Sequence, residues 1–217
     1  MMKDLAIYGM GGFGREVACL INFINEQEPT WNLIGFFDDG KQIGDECEFG
    51  KCLGGLSELN QWEEPLSVAI AIAKPANLKH IATSITNQNI TFPNIIPHDA
   101  FIFDKDTLYM GKGNIVQRQC EFSCNVRVGD FNAFNFRTVV GHDTTIGSYN
   151  SVMTDAGIMG NVSIGDLNYF GTHSVVLQGL KVGNEVTVAA GSVIMRRPKD
   201  GYTYMGSPAN PWLMTKK

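Results

Sequence analysis

From position 110 to position 194 every sixth residue is apolar: Met110, Val116, Phe122, Val128, Phe134, Val140, Ile146, Val152, Ile158, Ile164, Phe170, Val176, Val182, Val188 and Ile194. Apolar residues are 44% of the chain, so an unbroken run of fifteen at one spacing reflects a structural constraint and not composition. Glycine follows directly at 111, 129, 141, 147, 165, 171 and 183. A period of six fits neither the 3.6 of a helix nor the 2 of a simple strand. It fits a coil of three short flat strands joined by tight turns, each side pointing one apolar residue inward. Each coil takes 18 residues, so the segment makes nearly five, and stacking at about 4.8 Å pairs every strand with those above and below. The interior of such a triangular solenoid is filled, which leaves only its outside for a site.

Upstream the pattern changes. Residues 5–8 read as a strand, 9–14 as a glycine turn, and 15–25 as a helix with apolar Val17, Leu20, Ile21 and Ile24. Gly9, Gly11 and Gly14 fit G-x-G-x-x-G between strand and helix, where a bare backbone lets phosphate approach amides at a helix N-terminus. A second strand, 33–37, ends in Asp38 and Asp39, where a dinucleotide fold places its ribose-binding acid. A third strand at 67–73, a helix at 77–85 after Pro75 and a short fourth strand at 92–96 complete the unit before Pro97 and His98. This half-Rossmann-like parallel sheet suits a nucleotide-linked ligand better than a whole dinucleotide. The predicted organisation is an α/β domain over 1–98 and a parallel β-helix over 99–217.

Seventeen basic against 22 acidic residues give a net charge of −5, the wrong sign for a nucleic-acid partner. No apolar run approaches the roughly 18 residues of a membrane span, and the chain enters a strand at once, so membrane insertion is not expected and a cytoplasmic protein is. Five cysteines make an odd number without zinc-site spacing and are expected to be reduced. Of the four histidines, His80 and His98 read as structural, and His173 stacks 18 residues above Asp155 and 36 above Arg137 as a corner ion ladder. The closely spaced histidine pair of a metal solenoid is missing, so no metal is expected.

These residues together resemble the hexapeptide-repeat acyltransferases with a left-handed parallel β-helix, and within them the sialic acid O-acetyltransferases and bacterial nucleotide-aminosugar N-acetyltransferases. The resemblance rests on the glycine turn from Ile7 to Val17, on Phe37-Asp38-Asp39, on Val140 to Gly147, on Gly160-Asn161-Val162 and on Gly206-Ser207-Pro208-Ala209. It implies a homotrimer that binds acetyl-CoA between adjacent solenoids and a nucleotide sugar on the N-terminal domain. By match of position it implies His142 as general base, Asp143 as the acid that orients it, and Gly160 as the amide facing the thioester carbonyl. Ser151, Thr172, Ala190 and Gly191 are implied on the cofactor side, and Gly11, Gly12, Phe13, Asp38, Asp39 and Lys74 on the acceptor side.

The chemistry agrees. An attacking amine or hydroxyl must lose its proton, which histidine accepts well at neutral pH. A carboxylate at the far ring nitrogen fixes the tautomer, and a backbone amide near the carbonyl stabilises the oxyanion. Positions 18 apart stack, so His142 stands one coil from Gly160, and Asp143 one coil from Asn161. The chain departs from the family at Phe13, where many members have histidine, at Ala73-Lys74 in place of Gly-Asn, at Ser151 in place of a second histidine, and at Asn210 in place of lysine. The expected reaction is direct acetylation of the 4-amino group of a nucleotide-linked deoxysugar. O-acetylation of a sialic acid and a non-catalytic binding module are the alternatives. Phe131, Phe136 and Tyr169 are expected as exposed aromatics that a trimer covers.

Overall fold

The structure is a computed structural model and describes residues 2–212. Its N-terminal part runs β1 (Lys3–Tyr8), α1 (Gly12–Gln27), β2 (Trp31–Phe37), β3 (Glu46–Cys47), β4 (Gly50–Gly54), α2 (Leu56–Asn60), β5 (Leu66–Ile70), α3 (Pro75–Ser84) and β6 (Ile90–Thr91). The sheet order is β3-β4-β2-β1-β5-β6, parallel except for the β3–β4 hairpin. Leu5 to Tyr8 are all buried because helices cover both faces of the central strand. Leu5 and Ile7 point to α1, where Val17, Ala18 and Ile21 meet them; Ala6 and Tyr8 point to α3 and its Leu78, Ile81 and Ala82. Two glycines of the turn are needed for this packing. Gly9 takes φ +108, and a Cβ on Gly14 would overlap the Gly9 carbonyl.

Two local readings are corrected. The hairpin over 46–54 carries no alternating apolar pattern and escapes notice in the sequence, although β4 extends the sheet beyond β2. The fourth strand is Ile90–Thr91 and not 92–96: Pro93 cannot donate to a ladder, and Ile95 instead bridges to Ile115 of the solenoid.

The solenoid is the left-handed β-helix fold. Its first face stacks six two-residue strands from Phe101–Ile102 to Val193–Ile194, including Val139–Val140 and Gly157–Ile158. The second face runs from Tyr109–Met110 to Lys181–Val182, and the third from Ile115–Val116 to Thr187–Val188, closed by Thr203–Gly206 and Ala209–Pro211. From Val116 to Ile194 the six-residue positions are at most 4% exposed, with Phe122 and Phe134 in edge contact at 5.1 Å between centroids. At each corner one residue takes a left-handed φ, between 53° and 63° for every non-glycine residue at six-residue steps from Gln119 to Glu185. Inside one corner Asn114, Asn132, Asn150 and Asn168 form a buried ladder, the side-chain amides of the last three donating to the Oδ1 one rung earlier at 2.9–3.0 Å. Breaking one rung would strand a buried acceptor at a cost of about 1–3 kcal/mol.

The N-terminal domain docks on the third face and its two bordering corners. Ser151 Oγ donates to the Ala73 carbonyl at 2.7 Å, and His98 stacks on Phe23 at 4.3 Å. Phe131 is only 4% exposed, packed between Phe92 and Tyr149, so it belongs to the domain junction and not to an open aromatic surface. Phe136 and Tyr169 are half-buried.

Candidate active site

His142 lies on the corner between the first and second faces, two residues beyond strand Val139–Val140. Its Nδ1 is 2.8 Å from Asp143 Oδ2, and Asp143 Oδ1 accepts a hydrogen bond from Asn125 Nδ2 at 3.1 Å. The His142 bond first, and the Asn125 bond second, hold the Asp143 carboxyl below the usual carboxylate range. An anionic Asp143 places the proton of the neutral imidazole on Nδ1 and leaves Nε2 as an acceptor. A Cβ on Gly160, one rung later, would come within 2.6 Å of that Nε2. The ring therefore lies over a position that only glycine leaves open. Among the described residues the Gly160 amide donates no hydrogen bond. The side chains of His142 and Asp143 are 61% and 52% exposed, open to molecules from outside the chain.

Asn125 was not singled out in the sequence, although it stands 18 residues before Asp143 and the stacking rule points to it. Thr172, Ala190 and Gly191 lie on a different corner, between the third and first faces, so one chain does not bring them to His142. That corner carries the ladder read from the sequence: Arg137 donates two bonds to Asp155 at 2.6 and 2.7 Å, and His173 Nε2 lies 3.6 Å from the same carboxylate. The cofactor reading of Ser151 is corrected. Its side chain is fully buried and its hydroxyl joins the two domains. A feature the sequence reading passed over sits on the His142 corner: Arg196 and Arg197 follow Val193–Ile194 as His142 and Asp143 follow Val139–Val140. Both are exposed, and among the described residues neither forms an ion pair.

On the N-terminal domain, Gly11 and Gly12 are not glycine for packing or for backbone conformation. A Cβ on either would meet nothing within 4 Å, and neither takes a positive φ. Their bare backbone borders open space at the N-terminus of α1. Gly11 lines a cavity of about 510 Å³ with Tyr8, Asp38, Asp39, Asn77 and His80. His80, read as structural from the sequence, thus belongs to the cavity wall. Asp38 accepts from the Met10 and Gly40 amides at 2.7 and 2.9 Å, and Asp39 accepts from Tyr8 Oη at 2.6 Å and the Leu56 amide at 2.8 Å. Burial first, and then Asp39, push the Tyr8 hydroxyl far above its ordinary range, which keeps it a donor. The acids shape this cavity before any ligand arrives.

The acceptor residues read from the sequence do not form one cluster. Phe13 and Gly12 line a separate crevice of about 270 Å³ with Glu16, Asn135 and Ser151. Lys74 faces a third, between α3 and the solenoid, with Tyr169, Glu185 and Thr187. The Phe13 and Lys74 crevices border the third face of the prism, the Gly11 cavity is lined by the N-terminal domain alone, and His142 stands on the corner opposite that face.

An N-terminal α/β domain followed by a left-handed β-helix, with His142 and Asp143 on one corner, is an arrangement that known proteins share. Residues 4–85 match the family described as PglD N-terminal domain. The acetyltransferase domain of PglB from Neisseria gonorrhoeae, solved with acetyl coenzyme A, is 26% identical at a TM-score of 0.87, over 98% of this chain and 100% of that one. WeeI from Acinetobacter baumannii is 25% identical at 0.86, over 98% and 100%. A perosamine N-acetyltransferase from Caulobacter crescentus, solved with CoA and GDP-perosamine, is 19% identical at 0.86, over 99% of each chain. No curated protein sequence matches. The N-terminal part of the chain thus matches the PglD N-terminal domain, and the whole chain shares its fold with solved sugar acetyltransferases. No helix among the described residues is long and apolar enough to cross a membrane.

Proposed function

We propose that the protein transfers the acetyl group of acetyl-CoA to the 4-amino group of a nucleotide-linked deoxysugar. The observation that carries this reading is the stack of His142 Nε2 over Gly160 with Nδ1 held by Asp143. The amine nitrogen attacks the thioester carbon to form the N–C bond and a tetrahedral oxyanion, the amine proton passes to His142 Nε2, and the C–S bond then breaks with its electron pair on sulfur, so that CoA leaves and takes up that proton. Asp143 supports the imidazolium. The Gly160 amide faces the developing oxyanion, a contact worth about 3 kcal/mol in comparable sites. No acyl-enzyme is needed.

The donor is supported by the PglB domain, which was solved with acetyl coenzyme A. Along the His142 corner, three rungs of about 4.8 Å separate His142 from Arg196, roughly 14 Å. This suits a pantetheine arm with its thioester beside His142 and its phosphates at Arg196 and Arg197. The nucleotide is assigned to the cavity of Gly11, Asp38, Asp39 and His80.

His142 stands on the corner opposite the face that the Phe13 and Lys74 crevices border, which supports a reading in which a second copy presents the acceptor. The outer first face offers it an apolar surface, with Phe101 56% and Val139 38% exposed. A homotrimer with sites between copies satisfies both constraints, with Thr172, Ala190 and Gly191 of the neighbouring copy completing the cofactor groove.

The test is an acetyl-CoA-dependent assay against UDP-, GDP-, TDP- and CMP-linked aminosugars, with free sialic acid in parallel. Turnover of an aminosugar that His142→Ala lowers at least 100-fold, with acetyl-CoA still bound, is expected. Turnover of sialic acid alone overturns the acceptor, and transfer unaffected by His142→Ala overturns the mechanism. No binding of acetyl-CoA leaves a binding module.

A further inference from the structure

We infer that Asn125 is a positioning residue for proton transfer, acting through Asp143 on His142. The inference rests on the acetyl-transfer reading above. Asp143 and His142 are both more than half exposed, and an exposed carboxylate joined to one partner by one bond changes rotamer freely. Here its second oxygen is held by Asn125 Nδ2 at 3.1 Å. The Asn125 backbone is fixed in turn, its backbone amide donating to Thr107 Oγ1 at 2.9 Å, while that hydroxyl donates to Asp104 Oδ2 at 3.0 Å. Thr107, Asn125 and Asp143 succeed one another at 18-residue steps, so the ladder climbs the corner one rung at a time. From the other side, the Asn161 amide donates to the His142 carbonyl at 2.7 Å and pins the histidine backbone.

Asparagine is well suited to the left-handed turn conformation it takes here, φ 54. That does not explain its identity. Phe131, Arg137 and Leu167 take φ of 53, 57 and 63 at equivalent corner positions, so the turn accepts bulky side chains. What asparagine adds is a donor without charge. A lysine or arginine would draw Asp143 into an ion pair and away from the imidazole, and an aspartate would repel it. Asp143 is the one acid within ion-pair distance of His142 among the described residues, so a change at Asn125 reaches the imidazole through that contact.

The test combines kinetics with a readout independent of turnover, NMR titration of the His142 imidazole in free protein. Asn125→Ala is expected to lower kcat about tenfold, with KM for both substrates and the thermal midpoint unchanged, because the base is present but loosely aimed. Asn125→Ser, which keeps a donor, is expected to recover part of that loss. Asn125→Asp brings a second carboxylate to the pair, so the His142 titration and the acid limb of the pH–rate profile both move to higher pH. Transfer activity with an unmoved titration and an unchanged kcat in these variants removes the positioning role alone. A titration that moves in a protein that acetylates no acceptor removes the transfer reading, and the catalytic meaning of the ladder with it.

Discussion

The Nε2 of His142 lies over the Cα of Gly160, so that a single methyl group added there would come within 2.6 Å of it. Gly160→Ala therefore tests the base without removing it. The ring must swing off its rung while the hydrogen bond to Asp143 pulls it back. A displacement on the ångström scale costs about 100-fold in rate. We expect kcat to fall by that order, with a thermal midpoint close to wild type, since Gly160 does not take a positive φ. Full activity in this variant would mean the imidazole acts from another pose.

The proposed phosphate contacts of Arg196 and Arg197 can be tested apart from the thioester end. Replacing both by alanine is expected to raise KM for acetyl-CoA about tenfold or more, charge-assisted contacts to phosphate being among the stronger hydrogen bonds. KM for S-acetyl-pantetheine, which has no phosphate, should not change. Equal effects on both donors would place the phosphates elsewhere.

Gly12 distinguishes a ligand surface from a packing position. Gly12→Leu meets nothing within 4 Å in its own chain, so unfolding should be unchanged or slightly later while KM for the sugar rises at least tenfold. Mixing this variant with His142→Ala under conditions that exchange subunits should restore activity, because some sites then pair an intact base with an intact acceptor cavity. Failure of two folded variants to complement would place base and acceptor in one chain.

Asp155 gives a pH-dependent term remote from the chemistry. The Arg137 hydrogen bonds hold its carboxyl below the ordinary range. A folded-state value below the unfolded one, about 3.9, means the stabilisation is complete above that pH and disappears as pH falls through the lower folded value. Asp155→Asn should thus lower the thermal midpoint by a small amount at pH 5, and the gap should close as pH falls below about 4. A gap that persists in full at pH 2 would contradict the ladder.

The period of six dictated the prism, since one inward residue per side is the only way such spacing buries its apolar positions. The 18-residue rung followed and placed His142 over Gly160, because stacking repeats position by position. Its reach was greater than the reading that used it: the same subtraction finds Asn125 below Asp143, and the asparagine ladder was missed because only apolar positions were counted. How the two domains meet lay beyond any local pattern. Ser151 and Ala73 are 78 residues apart and joined by one hydrogen bond, Phe131 is buried by a docked domain, and the acceptor residues divide among three crevices. Those outcomes depend on shape complementarity between surfaces distant in sequence, which no spacing along the chain encodes. The tertiary structure alone set His142 on the corner opposite the face on which the N-terminal domain docks.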